Sequence, residues 1–273
     1  MRTPKSRGAP IDSTRLAGWA RRFSGYRRPI TEQAIDSWLG PFGDQQDVGA
    51  RLLDSVEYVS HDLIDGAFKA ILPRLSGWSK GTAGRTGKWR FVAFSTSAGE
   101  SGDSMLFRFR TANGMSAARY RELFIHKSEL LREELGPDDT VVFVDDFAGT
   151  GRQACEAWAS NLAELLPGNP RVVLLLVAAS RTARKKIGSE TLMRVESHRV
   201  LTTSDDLFHS SCSHFSGTEK RRILELCQLA DPRKPKGFGD CGFVIVFAHR
   251  CPNNSIAILH ASNRRWKGLF PRD

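Results

Sequence analysis

The sequence predicts an α/β protein whose central sheet is parallel. Two short apolar runs, residues 141–144 and 171–179, have the continuous aliphatic and β-branched composition of strands that are buried on both faces. Helical segments separate the predicted strands, and strands joined through single helices form βαβ units with right-handed crossovers. A chain of 273 residues, 40% of them hydrophobic, can bury a substantial core. We therefore expect a parallel sheet with helices on both faces.

The chain begins with a basic segment, and we predict an arm over residues 1–30. Residues 1–28 hold eight basic side chains against Asp12 alone, which places +7 of the formal charge of +10 here. Such an arm suggests an acidic partner, either nucleic acid or an acidic protein surface. Leu16, Trp19 and Phe23 fall at helical spacing, which predicts a short amphipathic helix. Two interpretations stay open: the arm binds a partner, or it docks on its own domain.

A helical extension is predicted over residues 31–80. Three stretches have helical patterns, and Gly and Pro residues separate them: ITEQAIDSWL, VGARLLDSVEYV and HDLIDGAFKAIL. A connector rich in Gly, Ser and Lys then leads to WRFVAFS, whose apolar and aromatic residues indicate the first strand of the core.

The α/β core is predicted over residues 81–205. After the first strand we expect a helix from about Ser116 to Leu135, the strand of residues 141–144, and a helix from Arg152 to Leu166. The second apolar strand and a basic helix, RTARKKIG, complete this pattern.

The last segment, residues 206–273, is predicted to complete the domain with a strand and a tail that forms a hood. It contains a helix at GTEKRRILELC and a strand at CGFVIVFAH.

Cysteine usage and motifs limit the class of protein. Five cysteines are scattered without a CxxC pair, no apolar secretory signal is visible, and no run is long enough to cross a membrane. We expect a reduced, cytoplasmic protein without membrane contact. The chain has no G-x-S-x-G, H-E-x-x-H or G-K-[ST] motif, which argues against the common hydrolases, metalloproteases and Walker ATPases.

One stretch, VVFVDDFAGTGRQ, places adjacent carboxylates Asp145 and Asp146 directly before a turn rich in Gly and Thr. Gly149, Gly151 and Ala154 satisfy the dinucleotide pattern G-x-G-x-x-A, but no acidic residue for a ribose hydroxyl follows at the end of the next strand. The turn also resembles the S-adenosylmethionine loop of amino-methyltransferases, yet no Pro-Pro-aromatic motif accompanies it.

A third interpretation uses every residue of this stretch. Two consecutive carboxylates accept hydrogen bonds from vicinal ribose hydroxyls, or hold a metal-bound water beside them. The following loop offers backbone N–H groups and a hydroxyl to a 5′-phosphate at the start of the next helix. One turn would then recognise a ribose 5-phosphate.

This pattern resembles the phosphoribosyl pyrophosphate motif of type I phosphoribosyltransferases: an apolar strand, two acids, two small or apolar residues and Thr-Gly. The resemblance implies that Asp145 and Asp146 orient the ribose and, indirectly, Mg²⁺. It assigns the phosphate loop to Phe147, Ala148, Gly149, Thr150, Gly151 and Arg152. That family usually has Gly and Thr where this chain has Arg152 and Gln153, and Arg152 either adds a phosphate contact or crowds the loop.

A pyrophosphate leaving group needs a second loop on a neighbouring strand. The segment SAGESG follows the first core strand and consists of Ser97, Ala98, Gly99, Glu100, Ser101 and Gly102. Its small residues would let backbone N–H groups approach a diphosphate. Arg108 and Arg110 are lesser candidates on the same side.

A wider resemblance runs from about residue 31 to residue 272. The chain is similar to the phosphoribosyltransferase-like proteins of prokaryotic conflict and antiphage defence loci, through RLLDSVEYVSHDLI, SAGESGDSMLFRFRTANGM, VDDFAGTG and the ending from GFGDCGFVIVFAH onward. The resemblance implies a type I phosphoribosyltransferase core and a defence effector or accessory that binds phosphoribosyl pyrophosphate or a nucleotide with Mg²⁺. The alternative is a non-catalytic, nucleotide-sensing module whose basic arm binds nucleic acid or a partner protein of the defence system.

Two smaller groups complete the candidates. Asn253, Asn254 and Trp266 in the tail are candidates for contact with a base under the hood, although Trp266 also suits a core position. HSSCSH supplies His209, Cys212 and His214 as candidate zinc ligands, with Cys241, His249 or Cys251 as a fourth, but the spacing matches no standard zinc finger.

Overall fold

The computed structural model describes residues 11–95 and 101–272. In this part of the chain the α-helices are α1 (Ser13–Arg22), α2 (Glu32–Leu39), α3 (Gln46–Ser55), α4 (His61–Ile71), α5 (Gly102–Ala112), α6 (Arg152–Ala157), α7 (Arg181–Glu190), α8 (Gly217–Ala230) and α9 (Ala257–His260). The strands are β1 (Glu57–Val59), β2 (Trp89–Ala93), β3 (Thr140–Ala148), β4 (Arg171–Ser180), β5 (Met193–Leu201) and β6 (Ile245–Phe247). None of these helices combines the length and the apolar character that a bilayer crossing requires.

The chain forms two compact units. Unit 1 comprises the residues up to His61 together with those from Thr203 onward, and unit 2 is the continuous segment Asp62–Thr202. The four-segment division expected from the sequence stays a prediction.

Unit 2 contains the parallel sheet that the apolar runs predicted. Its strands lie side by side in the order β2-β3-β4-β5, and every neighbouring pair is parallel. One apolar row crosses three strands, because Phe143 of β3 is in register with Leu174 of β4, which is in register with Val195 of β5. The α/β fold class with a parallel sheet is thus confirmed.

Helical elements cover both faces of this sheet. Phe143 and Leu174 share a core cluster with Ala154 of α6 and Ile187 of α7 on one face. Phe91 of β2 packs against Phe109 of α5, with their ring centroids 4.9 Å apart. Since side chains alternate along a strand, Phe91 lies on the opposite face from its neighbour Val92, which belongs to the first cluster.

One helix lies elsewhere than the sequence suggested. The predicted helix from Ser116 to Leu135 is wrong: this segment holds two 3₁₀ turns, Ala118–Leu123 and Lys127–Glu133. Between these turns Phe124 forms a bridge with Phe91 of β2, and that pairing interrupts a continuous helix. The α-helix of this connection is α5, directly after the second candidate loop.

Two other elements of the core also differ from the sequence prediction. The helix that starts at Arg152 is α-helical only to Ala157 and continues as a π-helical turn, Trp158–Leu162. A fourth sheet strand, β5, was not predicted, because its exposed and buried residues alternate instead of forming an apolar run.

Unit 1 has its own core, built largely from the helical extension and the C-terminal segment. The predicted strand CGFVIVFAH is a strand only at β6, where it pairs in parallel with β1 in a separate two-stranded sheet.

The described part of the basic segment is integrated into unit 1. Phe23 is fully buried, with its ring 5.5 Å from Tyr58 and 5.0 Å from Phe270. Trp19 donates its indole N–H to Asp54 at 2.8 Å, and Arg15 pairs with the same carboxylate at 2.6 Å. Of the two interpretations of the arm, docking on its own domain therefore holds for α1 and the residues that follow it.

Candidate functional site

The two adjacent carboxylates lie within strand β3. The strand continues past them to Ala148, and Asp145 is in register with Leu176 of β4. Asp145 is 7% exposed, whereas Asp146 is only partly buried, and the two carboxyl groups interact with each other. The sheet thus holds one buried carboxyl group with a more accessible one beside it.

Burial raises the pKa of Asp145 well above the usual range for an aspartate, and the adjacent charge of Asp146 raises it further. Hydrogen bonds from the Asp146 backbone and from Ser101 oppose this change only in part. None of the groups that chiefly determine the pKa of Asp145 is a basic side chain. A cation or a set of hydroxyl donors would stabilise the ionised form of this carboxyl group, so the donor chemistry fits Mg²⁺ and a ribose.

A hydrogen bond connects the second candidate loop to the acidic pair. The Ser101 hydroxyl donates to Oδ1 of Asp145 at 2.8 Å, across 44 positions of the chain. Ser101 directly precedes α5, but its side chain does not cap that helix. Two segments that the sequence suggested as halves of one site are thus joined in the structure.

Gly102 allows α5 to start close to the end of β2. A Cβ at this position would lie 2.4 Å from the carbonyl oxygen of Phe94, a distance that no side chain tolerates. The rest of the predicted loop, Ser97, Ala98, Gly99 and Glu100, lies outside the described residues.

The phosphate-loop candidate is the tight turn that joins β3 to α6. Phe147 and Ala148 end the strand, paired with Ala178 and Ala179 of β4. Gly149 and Thr150 follow, and the Thr150 hydroxyl accepts a hydrogen bond from the backbone N–H of Arg152 at 3.3 Å.

Gly151 closes the turn in the left-handed region, with φ of +75°. A Cβ there would lie 2.9 Å from the carbonyl oxygen of Ala183 in α7. The position therefore requires glycine both for its backbone angle and for its closeness to the next helix.

Arg152 presents a largely exposed side chain. Its guanidinium pairs with Glu156 one helical turn later, at 2.5 Å, and 62% of its side chain is exposed. An exposed pair of this kind contributes little stability, so its separation to contact a ligand costs little.

Ser180 is a site residue that the sequence reasoning missed. It is 3% exposed at the end of β4, where its hydroxyl donates to the carbonyl oxygen of Gly149 at 2.6 Å and accepts from the N–H of Ala183 at 2.8 Å. One buried serine thus caps α7 and fixes the candidate phosphate loop. A serine directly before RTARKKIG is the N-cap signal that could have indicated it.

Three predicted base contacts lie in unit 1. Asn254 is buried and donates to the carbonyl oxygen of Phe238 at 2.8 Å, and Trp266 is 2% exposed with its indole N–H on the carbonyl oxygen of Ile258 at 3.0 Å. Only Asn253 has an exposed side chain. Internal contacts therefore already use the amide N–H group of Asn254 and the indole N–H of Trp266, and contact with a base stays a prediction.

The lesser candidates near the second loop make structural contacts. Arg108 pairs with Asp65 at 3.0 Å, and Arg110 donates to the carbonyl oxygen of Met115 at 3.0 Å while it stacks over Phe124.

The zinc alternative gains no support. Within residues 11–95 and 101–272, no group of three or more His, Cys, Asp or Glu side chains is arranged to hold a metal ion. His209 instead contacts the Ser211 hydroxyl at 2.7 Å, and Cys212 is a buried free thiol.

The family model of PRTase-CE, which describes phosphoribosyltransferase-like proteins of conflict systems, matches residues 35–272. No curated protein matches the chain.

Proposed function

Because the chain belongs to the PRTase-CE family and is therefore a phosphoribosyltransferase-like protein of conflict systems, we propose that unit 2 binds a phosphoribosyl compound with Mg²⁺. The ligand is phosphoribosyl pyrophosphate or a nucleotide. The observation that carries the proposal is the buried Asp145 carboxyl, which lies beside Asp146 and is held by Ser101 of the second loop.

Each group of residues in the site contacts a different part of the ligand. Asp145 and Asp146 accept hydrogen bonds from the ribose hydroxyls, and the backbone N–H groups between Ala148 and Gly151 receive the 5′-phosphate. The loop that ends at Ser101 and Gly102 receives the diphosphate. Ser180 supports this assignment because its hydroxyl donates to the carbonyl oxygen of Gly149 and so fixes the phosphate loop.

In a transfer reaction the protein acts through position and charge. Bound Mg²⁺ would neutralise the diphosphate as it leaves C1 of the sugar. The acidic pair fixes the ribose, the two loops fix its two phosphorylated ends, and the reacting atoms are thereby aligned. This chemistry requires no protein nucleophile.

A second function of the same site is nucleotide sensing without turnover. Arg152 favours it, because its exposed guanidinium stands at the loop position where the phosphoribosyltransferase motif usually has a smaller residue. In this case the site regulates an effector or accessory of a defence system, and a partner protein or nucleic acid provides the output.

Calorimetry tests the ligand. We expect phosphoribosyl pyrophosphate with Mg²⁺ to bind the parent chain, and Asp145→Asn together with Asp146→Asn to weaken binding at least about tenfold, since hydrogen bonds to charged groups are among the stronger ones. Asp138→Asn together with Glu164→Gln, at two exposed acids of unit 2, is the matched control. Unchanged affinity in the double variant would contradict the proposal.

An assay for pyrophosphate release separates transfer from sensing. Turnover with a panel of bases and nucleotides supports the transferase. Binding without any release supports the sensing module.

A further inference from the structure

Unit 1 contains a cavity of about 430 Å³ that the site in unit 2 does not use. One wall is helix α2, which contributes the small residues Ala34 and Ser37 and the edge of Trp38. The opposite wall is the C-terminal turn of residues 264–269. The volume lies in the range of small-molecule pockets.

Four basic side chains surround this cavity: Arg28, Arg264, Arg265 and Lys267. None of the described residues in its lining is acidic. All four are exposed, and none of them forms an ion pair with another residue in the part of the chain that the structure describes. The cavity therefore carries a concentrated positive charge that a multiply charged anion would balance.

Its floor is apolar and is formed by two tryptophans. Trp38 and Trp266 are 3% and 2% exposed, and both indole N–H groups donate to the carbonyl oxygen of Ile258, at 2.8 and 3.0 Å. Because these polar groups are already used, the tryptophans present only apolar edges to the cavity. Such a surface suits the flat face or edge of an aromatic ring.

The turn that carries three of the cations is fixed in advance. The side-chain oxygen of Asn263 accepts hydrogen bonds from the backbone N–H groups of Arg265 and Trp266, at 2.7 and 2.9 Å. The side-chain NH₂ group of Asn263 donates to the backbone carbonyl oxygens of Leu229 and Ala230. Ser262 and Lys267 form a bridge across the turn. A preformed turn avoids the entropy that ordering a loop would cost on binding.

We propose that this cavity binds a nucleotide: the phosphates lie among the four cations and the base lies against the apolar floor. The nucleotide is either a free mononucleotide or one end of a single-stranded nucleic acid, which share this chemistry. The cavity shares no residue with the acidic pair in unit 2, so either proposal can fail alone.

The test uses the full chain with Asp145→Asn and Asp146→Asn, which removes the unit 2 ligand site. ATP, tripolyphosphate and a short single-stranded oligothymidylate are the probes. We expect ATP or the oligonucleotide to bind, and Arg264→Ala with Arg265→Ala to weaken binding at least about tenfold. The matched control is Arg221→Ala with Arg233→Ala, which removes the same charge from exposed positions of unit 1 outside the cavity.

A second variant tests the apolar half. Ser37→Tyr fills the cavity from the exposed face of α2 and keeps every charge, so it should weaken binding of ATP or the oligonucleotide but leave tripolyphosphate binding unchanged. Preference for ATP identifies a free nucleotide, and preference for the oligonucleotide identifies a strand end. Absence of binding by both, equal loss in the arginine control, or tripolyphosphate binding as tight as that of ATP would each overturn the proposal.

Discussion

At the residue scale, the partly buried imidazole of His260 links the stability of unit 1 to pH. Desolvation, with the nearby charge of Arg272 acting in the same direction, lowers its pKa from 6.5 to about 4. The Nε2 atom lies 3.1 Å from the carbonyl oxygen of Ser255. Between these two pKa values the unfolded chain takes up a proton that the folded chain does not, so stability falls as the pH is lowered.

We predict that His260→Gln makes the protein less sensitive to acid. Glutamine does not titrate, so the loss in the free energy of unfolding between pH 6.5 and pH 4.5 should shrink by about 2 kcal/mol. Urea unfolding at the two pH values measures this difference. The same change at His214, an exposed histidine of unit 1, is the matched control, and an equal effect in both variants would contradict the assignment to His260.

The candidate site also shows what single residues reveal in advance. Asp145, Asp146 and Gly151 could be chosen from the sequence because their order along one strand and turn is local. The hydrogen bond from Ser101 to Asp145 joins positions that only the folded sheet brings together. The burial that raises the pKa of Asp145 depends in the same way on packing, not on its neighbours in the sequence.

At the element scale, a strand or helix could be predicted from the sequence only where its hydrophobic pattern is typical of that element. Strands β3 and β4 were predicted because buried parallel strands are continuously apolar. Helix α5 was not, since Phe107-Arg108-Phe109-Arg110 alternates in the manner of a strand, whereas in the fold Phe109 is buried against Phe91 and Phe68. Tertiary packing thus overrides local preference at this element.

The turn between β3 and α6 gives a prediction about its own geometry. Gly151→Ala should lower the free energy of unfolding by about 1–3 kcal/mol, because it forces an L-residue into the left-handed region and places its Cβ against α7. Affinity for a phosphoribosyl ligand should fall with it. Urea unfolding and calorimetry on the purified variant measure both effects.

Gly188→Ala is the control for this element. Gly188 lies inside α7 with open space around the position of a Cβ, so alanine there should stabilise the protein by about 0.5–1 kcal/mol. A Gly151→Ala variant as stable as the parent chain would contradict the requirement for glycine at this turn.

At the scale of the whole molecule, the basic segment divides into two parts. From α1 onward it belongs to the core of unit 1, through Trp19, Phe23 and Tyr26. Residues 1–10 lie outside the described part of the chain and contribute Arg2, Lys5 and Arg7. Removal of this first part tests part of the charge of the arm and keeps α1 in place.

Two truncations should therefore behave differently. Removal of residues 1–28 deletes three buried aromatic side chains, each of which contributes about 3–5 kcal/mol in a core, so unit 1 should fail to fold. Removal of residues 1–10 keeps all three of these side chains, so unit 1 should still fold. If the arm binds single-stranded nucleic acid, the loss of three charges should reduce the slope of log affinity against log salt by about 2.

Circular dichroism measures whether each truncated chain folds, and a salt titration of nucleic-acid binding measures the slope. An unchanged slope would exclude the first ten residues from the contact, and a folded chain without residues 1–28 would contradict the assignment of α1 to the core.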